Sequence, residues 1–403
     1  MKVAIIGGGA AGYFAAISVK QHHPDAEVVI FEKASKVLSK VKISGGGRCN
    51  VTNATFDLND LSKHYPRGQK QLRKAFSQFS THDTMQWFEN RGVPLVTQED
   101  NCVFPKAQDS QVIIDALTRE ANSFGVNLRI RSHVQKIEKL NIGYKLIIKD
   151  QDNFTSDKII ITAGGQPKLG NLKWLMDLGH KIESPVPSLF TFNMPENPIT
   201  QLMGIVVDPA TVKIPGTKLE DDGPLLITHW GMSGPAILKL SAWGARILES
   251  KNYEFNILVN WLNYKSEEEA RNKVGEAISD LGIKMIKNTN PFELPRRLWE
   301  FLLSKYGWKE NQRWNELGKK GLNKMIQLLY RDEYVVSGKT TFKEEFVTCG
   351  GVSLLDVSFK TMESKVCPGI YFAGEILDID GITGGFNFQA AWTTGFIAGK
   401  LDS

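Results

Sequence analysis

Two patterns of hydrophobic and polar positions divide the chain. The first is the short, continuous apolar run rich in β-branched residues, the mark of a strand covered on both faces. Val3-Ala4-Ile5-Ile6, Val28-Val29-Ile30-Phe31, Lys158 to Thr162 and residues 369–375 are of this kind. Between the first two lie Gly7 to Gly12 and a helix-compatible stretch, Tyr13 to Lys20, so residues 2–33 read as a βαβ unit. Helical periodicity recurs over 68–92 and 108–124. Residues 127–149 read as strands, with alternation over Tyr144 to Ile148. A last helix is predicted over 388–399.

The second pattern begins after Pro185 and Pro187. Residues 189–262 carry short strand-like runs broken by Pro and Gly. Residues 264–331 are helical in composition, and strand character resumes from Tyr334 to Val352. The expectation is an α/β protein: a Rossmann-like domain formed by 1–187 and 347–403, interrupted at 188–346 by a β-rich domain with a helical subdomain at 264–331.

Composition narrows this picture. The 403 residues are 42% hydrophobic and 23% charged, ordinary for a globular chain of two or three domains. No apolar run approaches the roughly 18 residues that cross a bilayer, so no membrane partner is expected. The glycines near the N-terminus sit where a signal peptide has its apolar centre. Cys49, Cys102, Cys349 and Cys367 have no metal-site or redox-motif spacing, so no metal is expected and the chain reads as cytoplasmic. Net charge is +5, and residues 265–331 hold 14 Lys and Arg against 9 Asp and Glu, which accounts for all of it.

Gly7-x-Gly9-x-x-Gly12 follows a strand and opens a helix, the context of a dinucleotide-binding turn. Gly7 permits the turn, Gly9 a close approach to a pyrophosphate, and Gly12 tight helix–strand packing. The helix N-terminus offers amide donors to phosphates. Glu32, 20 residues beyond Gly12, suits a ribose diol. This motif alone does not separate NAD from FAD. Near the C-terminus, Ile370-Tyr371-Phe372-Ala373-Gly374-Glu375 is followed by Gly381, Gly384 and Gly385 and then a helix. Glycine turns in both the first and last thirds favour FAD, which is long enough to span them. No second G-x-G-x-x-G is present, so NAD(P)H enters only as a candidate electron donor without a dedicated motif.

A third constellation is Ser44-Gly45-Gly46-Gly47-Arg48-Cys49-Asn50, whose glycines expose amides and whose Arg48 adds a forked cation. Cys49 is read either as a redox nucleophile or as a packing residue.

The runs KISGGGRCNVTN (42–53), LITHWGMSGPAIL (226–238), VTCGGVSL (347–354) and PGIYFAGEILDIDGITGGFNFQAAWTTGFIAG (368–399) resemble the BaiN/YhiN-like bacterial flavoproteins, which are NAD(P)/FAD-dependent, aminoacetone-oxidase-family oxidoreductases. The resemblance runs nearly end to end. It implies a non-covalent FAD and an FAD domain interrupted by a β-barrel-like domain with a helical subdomain. It also implies cofactor contacts. Gly7, Gly9, Ala10, Ala11 and Gly12 would meet the pyrophosphate, and Glu32 and Lys33 the adenosine ribose. Val134 would meet adenine. Lys42, Ser44, Gly45, Gly46, Arg48, Cys49 and Asn50 would run along the cofactor, with Ala163 and Gly164. Gly374, Glu375, Asp380, Gly384, Gly385, Phe386 and Asn387 would surround the ribityl chain and ring.

Members of that family are linked to amine oxidation, steroid-like reduction and reduction of uridine in ribosomal RNA. The chain is therefore expected to be an FAD-dependent oxidoreductase acting by hydride transfer on a small molecule, amine or enone-like. The alternatives are an RNA-acting flavoenzyme and an FAD-binding redox sensor. His229 is a candidate proton donor or acceptor, or else it pins a strand-to-helix turn with Ser233 as N-cap before Pro235. The basic residues of 265–331, interleaved with Trp299, Trp308 and Trp314, read either as an RNA-binding face or as a solvated helical surface over a small core.

Overall fold

Strand β1 (Lys2–Ile6), helix α1 (Ala10–His22) and strand β2 (Glu27–Phe31) form the βαβ unit that the apolar runs predict. β1 and β2 pair in parallel and bury all but their first residues. Such strands need helices on both faces. The computed structural model describes residues 1–341 and 347–401. Its parallel sheet runs in the order 370–372, 158–161, β1, β2, 127–129. Strand Ile370–Phe372 thus joins a sheet begun almost 370 residues earlier in the chain.

The last helix, Phe386–Gly399, packs along α1. Small residues let the two axes approach. A Cβ on Gly395 would press on the Ala11 carbonyl at 2.8 Å, and one on Gly399 on the Ala15 carbonyl at 2.6 Å. Ser18 Oγ donates to the Phe396 carbonyl at 2.7 Å, closing the contact. This pairing brings the two glycine-rich turns, which precede these helices, into one region of the fold.

The described residues separate into two units, one holding Met1–Ser188 with the C-terminal segment, the other Leu189–Thr341. The boundary expected at 346 falls among residues outside those described. In the second unit seven antiparallel strands run in the order 332–337, 254–260, 206–213, 220–228, 231–233, 191–193, 339–340. The outermost two are consecutive in the chain. Gly338, at φ +102°, turns the backbone from one edge to the other, donating to the Tyr253 carbonyl and accepting from the Asn193 amide. The sheet therefore closes on itself as a barrel.

Helices Glu267–Ile278, Arg296–Lys305 and Gly318–Tyr330 share the barrel's apolar core. Buried Asp332 joins strand to helix. It accepts from Trp261 Nε1 at 3.0 Å and from Lys305 Nζ at 2.5 Å. The 16-residue helix Pro235–Ser250 interrupts the stretch of strand-like runs and follows the strand-to-helix turn that is one reading of His229 to Pro235. Its apolar residues Ala236, Ile237, Leu240 and Leu248 join the barrel's core, and the Gly-Pro start disguises it. Its N-cap is Gly234, not Ser233, whose hydroxyl bonds Thr191 instead. A short helix, Ser39–Ile43, leads into the glycine-rich run Ser44 to Asn50. No helix among the described residues is long and apolar enough to cross a membrane.

Candidate functional site

The first glycine turn is held from below and open above. Gly7 has φ +117°, and a Cβ there would collide with the Thr162 carbonyl. Thr162 Oγ1 donates to the carbonyls of Ile6 and Gly7 at 3.1 and 2.9 Å. A Cβ on Gly12 would overlap the Gly7 carbonyl. Gly9 differs from both, because its missing Cβ faces space with nothing within 4 Å. α1 starts at Gly9 with no side-chain cap and no acid in its first turn, so its leading amides at Ala10 and Ala11 meet no side-chain acceptor.

Glu32 ends β2, and its carboxylate accepts the Gly8 amide at 2.8 Å and the Ala34 amide at 2.7 Å. Beside it lies a cavity of about 470 Å³. Gly7, Glu32, Lys33, Val134 and Ala163 line it, so five of the expected contacts converge on one space. Gly164 follows Ala163 at φ +69°. Gly170 to Trp174 and Asp177 also line it, a segment without a motif in the sequence.

Loop 39–50 lies nearby and is largely self-engaged. Gly45, Gly46 and Gly47 all have positive φ. Arg48 donates to the Gly45 carbonyl at 3.1 Å and lies over the Phe104 ring at 4.2 Å. Ser44 donates to the Val41 carbonyl, and Lys42 is exposed and pairs with Asp109. Asn50 is turned so that its Oδ1 accepts the Gly385 amide at 3.1 Å and its Nδ2 donates to the Thr52 carbonyl. Cys49 is fully buried, and desolvation pushes its thiol up to about 12. It is a neutral packing residue at physiological pH rather than a nucleophilic thiolate.

At the second turn, Gly374 donates its amide to Thr394 Oγ1. Glu375 accepts the Thr348 amide at 2.9 Å and pairs with Lys40 at 2.5 Å. Asn387 grips the backbone of Gly381 through both its amide atoms. The Phe386 ring stacks on His64 at 4.2 Å, and the Phe386 carbonyl accepts from Tyr65. Asp380 is wholly buried, ion-paired with Arg67 and bonded to Ser188 Oγ at 2.6 Å. Burial raises its pKa against the pull of Arg67. The side chains of Asp380, Phe386 and Asn387 thus engage the protein itself and shape the turn. Gly384 accepts from Asn53 Nδ2, tying the turn to the 44–53 loop.

His229 belongs to the other unit. It is exposed at the tip of the hairpin between Thr228 and Gly231, its ring 3.7 Å from that of Trp230. Thr162, Arg67, Lys40 and Trp174 were missed from sequence. Each acts through a contact more than 100 residues away or through a cavity wall, and no local pattern reports either. All four cysteines are buried, and none is in a disulfide.

A family model described as the HI0933-like protein Rossmann domain matches residues 1–401. The chain is 26% identical to a 3-dehydro-bile acid delta(4,6)-reductase of Clostridium scindens, covering 99% of this chain and 98% of that one. It is 28% identical to a ribosomal RNA dihydrouridine synthase of Haemophilus influenzae, covering 97% and 96%. Its fold is similar to that of the 3-ketosteroid-delta4-(5alpha)-dehydrogenase of Rhodococcus jostii RHA1, with TM-score 0.51, 12% identity, and coverage of 98% and 96%. The match over residues 1–401 makes this chain a member of the HI0933-like family, a group of FAD-dependent oxidoreductases.

Proposed function

We propose that the chain holds FAD across its two glycine turns and reduces a carbon–carbon double bond conjugated to a carbonyl in a small molecule. The observation that carries the reading is the convergence of Gly7, Glu32, Lys33, Val134 and Ala163 on one cavity beside an uncapped helix start. The residues fit the cofactor. The space above Gly9 is what a pyrophosphate needs, and the amides of Ala10 and Ala11 point their dipole at it. Glu32 is braced by two backbone amides with its carboxylate at the cavity, ready to accept from a ribose diol.

FAD supplies hydride transfer when bound. The chain's part is geometric and electrostatic. Gly385 starts the last helix without a side-chain cap, so that helix presents the positive end of its dipole. Thr52 Oγ1 donates to Gln389 Oε1 at 2.6 Å and Trp392 Nε1 to the Val51 carbonyl at 2.9 Å, holding the 44–53 loop against it. Arg48 holds the Gly45 carbonyl, fixing the turn of the loop.

The substrate class rests on the named relatives. One is named as a bile acid reductase and one as a dihydrouridine synthase, and both names describe saturation of a carbon–carbon bond in conjugation with a carbonyl. The second name also supports an RNA substrate. Arg296, Arg297, Lys319 and Lys320 are exposed, which favours it. Against it, Trp299 and Trp314 are buried in the subdomain core, where they cannot stack on bases. Much of the basic charge is also paired locally, as in Arg296–Glu300 and Lys287–Glu310. A small molecule is the better reading.

The test is anaerobic. The protein should purify yellow and release FAD in acid. After reduction, an enone such as a 3-keto-4-ene steroid should restore the oxidised flavin spectrum. A colourless protein that takes up no added FAD sinks the proposal. An RNA affinity at physiological salt that collapses when Arg296, Arg297, Lys319 and Lys320 become Gln transfers the substrate role to RNA.

A further inference from the structure

The cavity beside Glu32 has two unlike walls. One wall is the parallel sheet and the turns that follow its strands, with Ile6, Gly7, Phe31 and Ala163, and beside them Val134 from the strand Val134–Lys139 of a separate antiparallel sheet. Its outer wall is the segment Gly170 to Asp177, which departs from the sheet after Gly164 and returns a short helix, Lys173–Met176, against the strand Val134–Lys139. That segment contributes one aromatic ring to the cavity, Trp174.

Trp174 is held for contact. Its Nε1 donates to the Asn171 carbonyl at 3.1 Å, so the polar edge of the indole is satisfied within its own turn. The ring is half-exposed and lines the cavity rather than entering the core. On the following turn Lys173 pairs with Asp177 at 2.9 Å, bracing the helix. An indole whose donor is already used offers a ligand only its face. Flat aromatic ligands are the chemistry that a fixed indole face recognises.

Given that Glu32 and Lys33 take the ribose, the next group outward from the ribose is the base. The geometry points to Trp174 as the residue that stacks on the adenine of the bound dinucleotide, with Val134 lining the same space. The inference rests on the FAD reading above and adds a residue outside both glycine motifs. It makes the segment 170–177 the part of the site that grips the adenosine half and leaves the flavin half untouched.

The experiment uses the full-length chain stripped of flavin, with ADP as probe, because ADP carries the adenosine half alone. ADP should compete with FAD and quench tryptophan fluorescence. Trp174→Ala should weaken ADP and FAD alike by about ten-fold, the effect of one lost base-stacking contact. Trp174→Phe, which keeps a stacking ring, should recover most of the affinity and lose the quench. Wild-type affinities in Trp174→Ala, or an undiminished quench in Trp174→Phe, overturn the assignment while leaving the FAD reading intact. Loss of FAD affinity with ADP affinity unchanged also overturns it. A wild-type chain that binds neither FAD nor ADP removes the FAD reading itself.

Discussion

The turns at Gly7–Gly12 and Gly381–Gly385 look alike in sequence and are used in opposite ways. Above Gly9 there is open space, and its backbone, at φ −91°, suits any residue. Gly385 sits at φ +90°, and a Cβ there would collide with the Thr52 carbonyl. The first glycine keeps room for something the chain does not itself provide. The second lets one part of the chain approach another. The same residue type therefore predicts a binding defect at one end and a folding defect at the other.

That contrast is open to direct attack. Gly9→Val should leave unfolding of the flavin-free chain within about 0.5 kcal/mol of wild type, as for a substitution into solvent. It should weaken FAD by more than ~100-fold, or about 2.8 kcal/mol, by filling the pyrophosphate space. If titration shows FAD bound at wild-type affinity, the open turn is not where the phosphates lie. Gly385→Ala should do the reverse. Strained backbone and overlap with Thr52 should cost about 3 kcal/mol in denaturant unfolding. Unchanged stability would equate the two turns and end the comparison.

Glu32→Ala lies between these extremes. It removes an acceptor from the ribose and from the Gly8 and Ala34 amides together. FAD affinity should fall by about 1–3 kcal/mol, with a smaller loss of stability. Glu32→Gln should recover part of both, and a variant losing stability alone would make Glu32 purely structural. The smallest expected effect is none at all. Burial holds Cys49 and Cys102 near 12, far above neutrality, so at pH 8 both stay protonated and shielded. A thiol reagent should find no reactive cysteine until the chain unfolds, when all four appear. Fast labelling of Cys49 in the folded chain would restore its candidacy as a nucleophile.

The first turn was legible because its signals are local. The spacing of Gly7, Gly9 and Gly12, the apolar run before them and the acid after them all lie within a 30-residue window. The parallel sheet was legible for the same reason, since four of its five strands are continuous apolar runs, the exposed edge strand Asn127–Arg129 being the exception. The helix Pro235–Ser250 was legible only at its start, where Pro235 follows a candidate strand-to-helix turn, and not in its length. Its Gly-Pro start resembles the punctuation between strands, and its small apolar residues blur the helical period. At the second turn the glycines were legible from their local spacing. What that spacing did not reveal about the neighbours is their protein contacts: Asn387 holds the Gly381 backbone and Asp380 pairs with Arg67, links that only tertiary structure shows. The closing of the barrel at Gly338 depends on strand order, which no local pattern carries.

The pairing of α1 with the last helix sets a timetable for the protein's manufacture. Ser18 and the Phe396 carbonyl are 378 positions apart. At ribosomal speeds of about 5–20 residues per second, α1 emerges roughly 20–75 s before the helix it packs against. Throughout that interval the small-residue face of α1 is without its partner, and the second unit is synthesised in the meantime. Assembly of the nucleotide-binding half is therefore a late event, and a cell short of the cofactor would meet nearly finished chains rather than nascent ones.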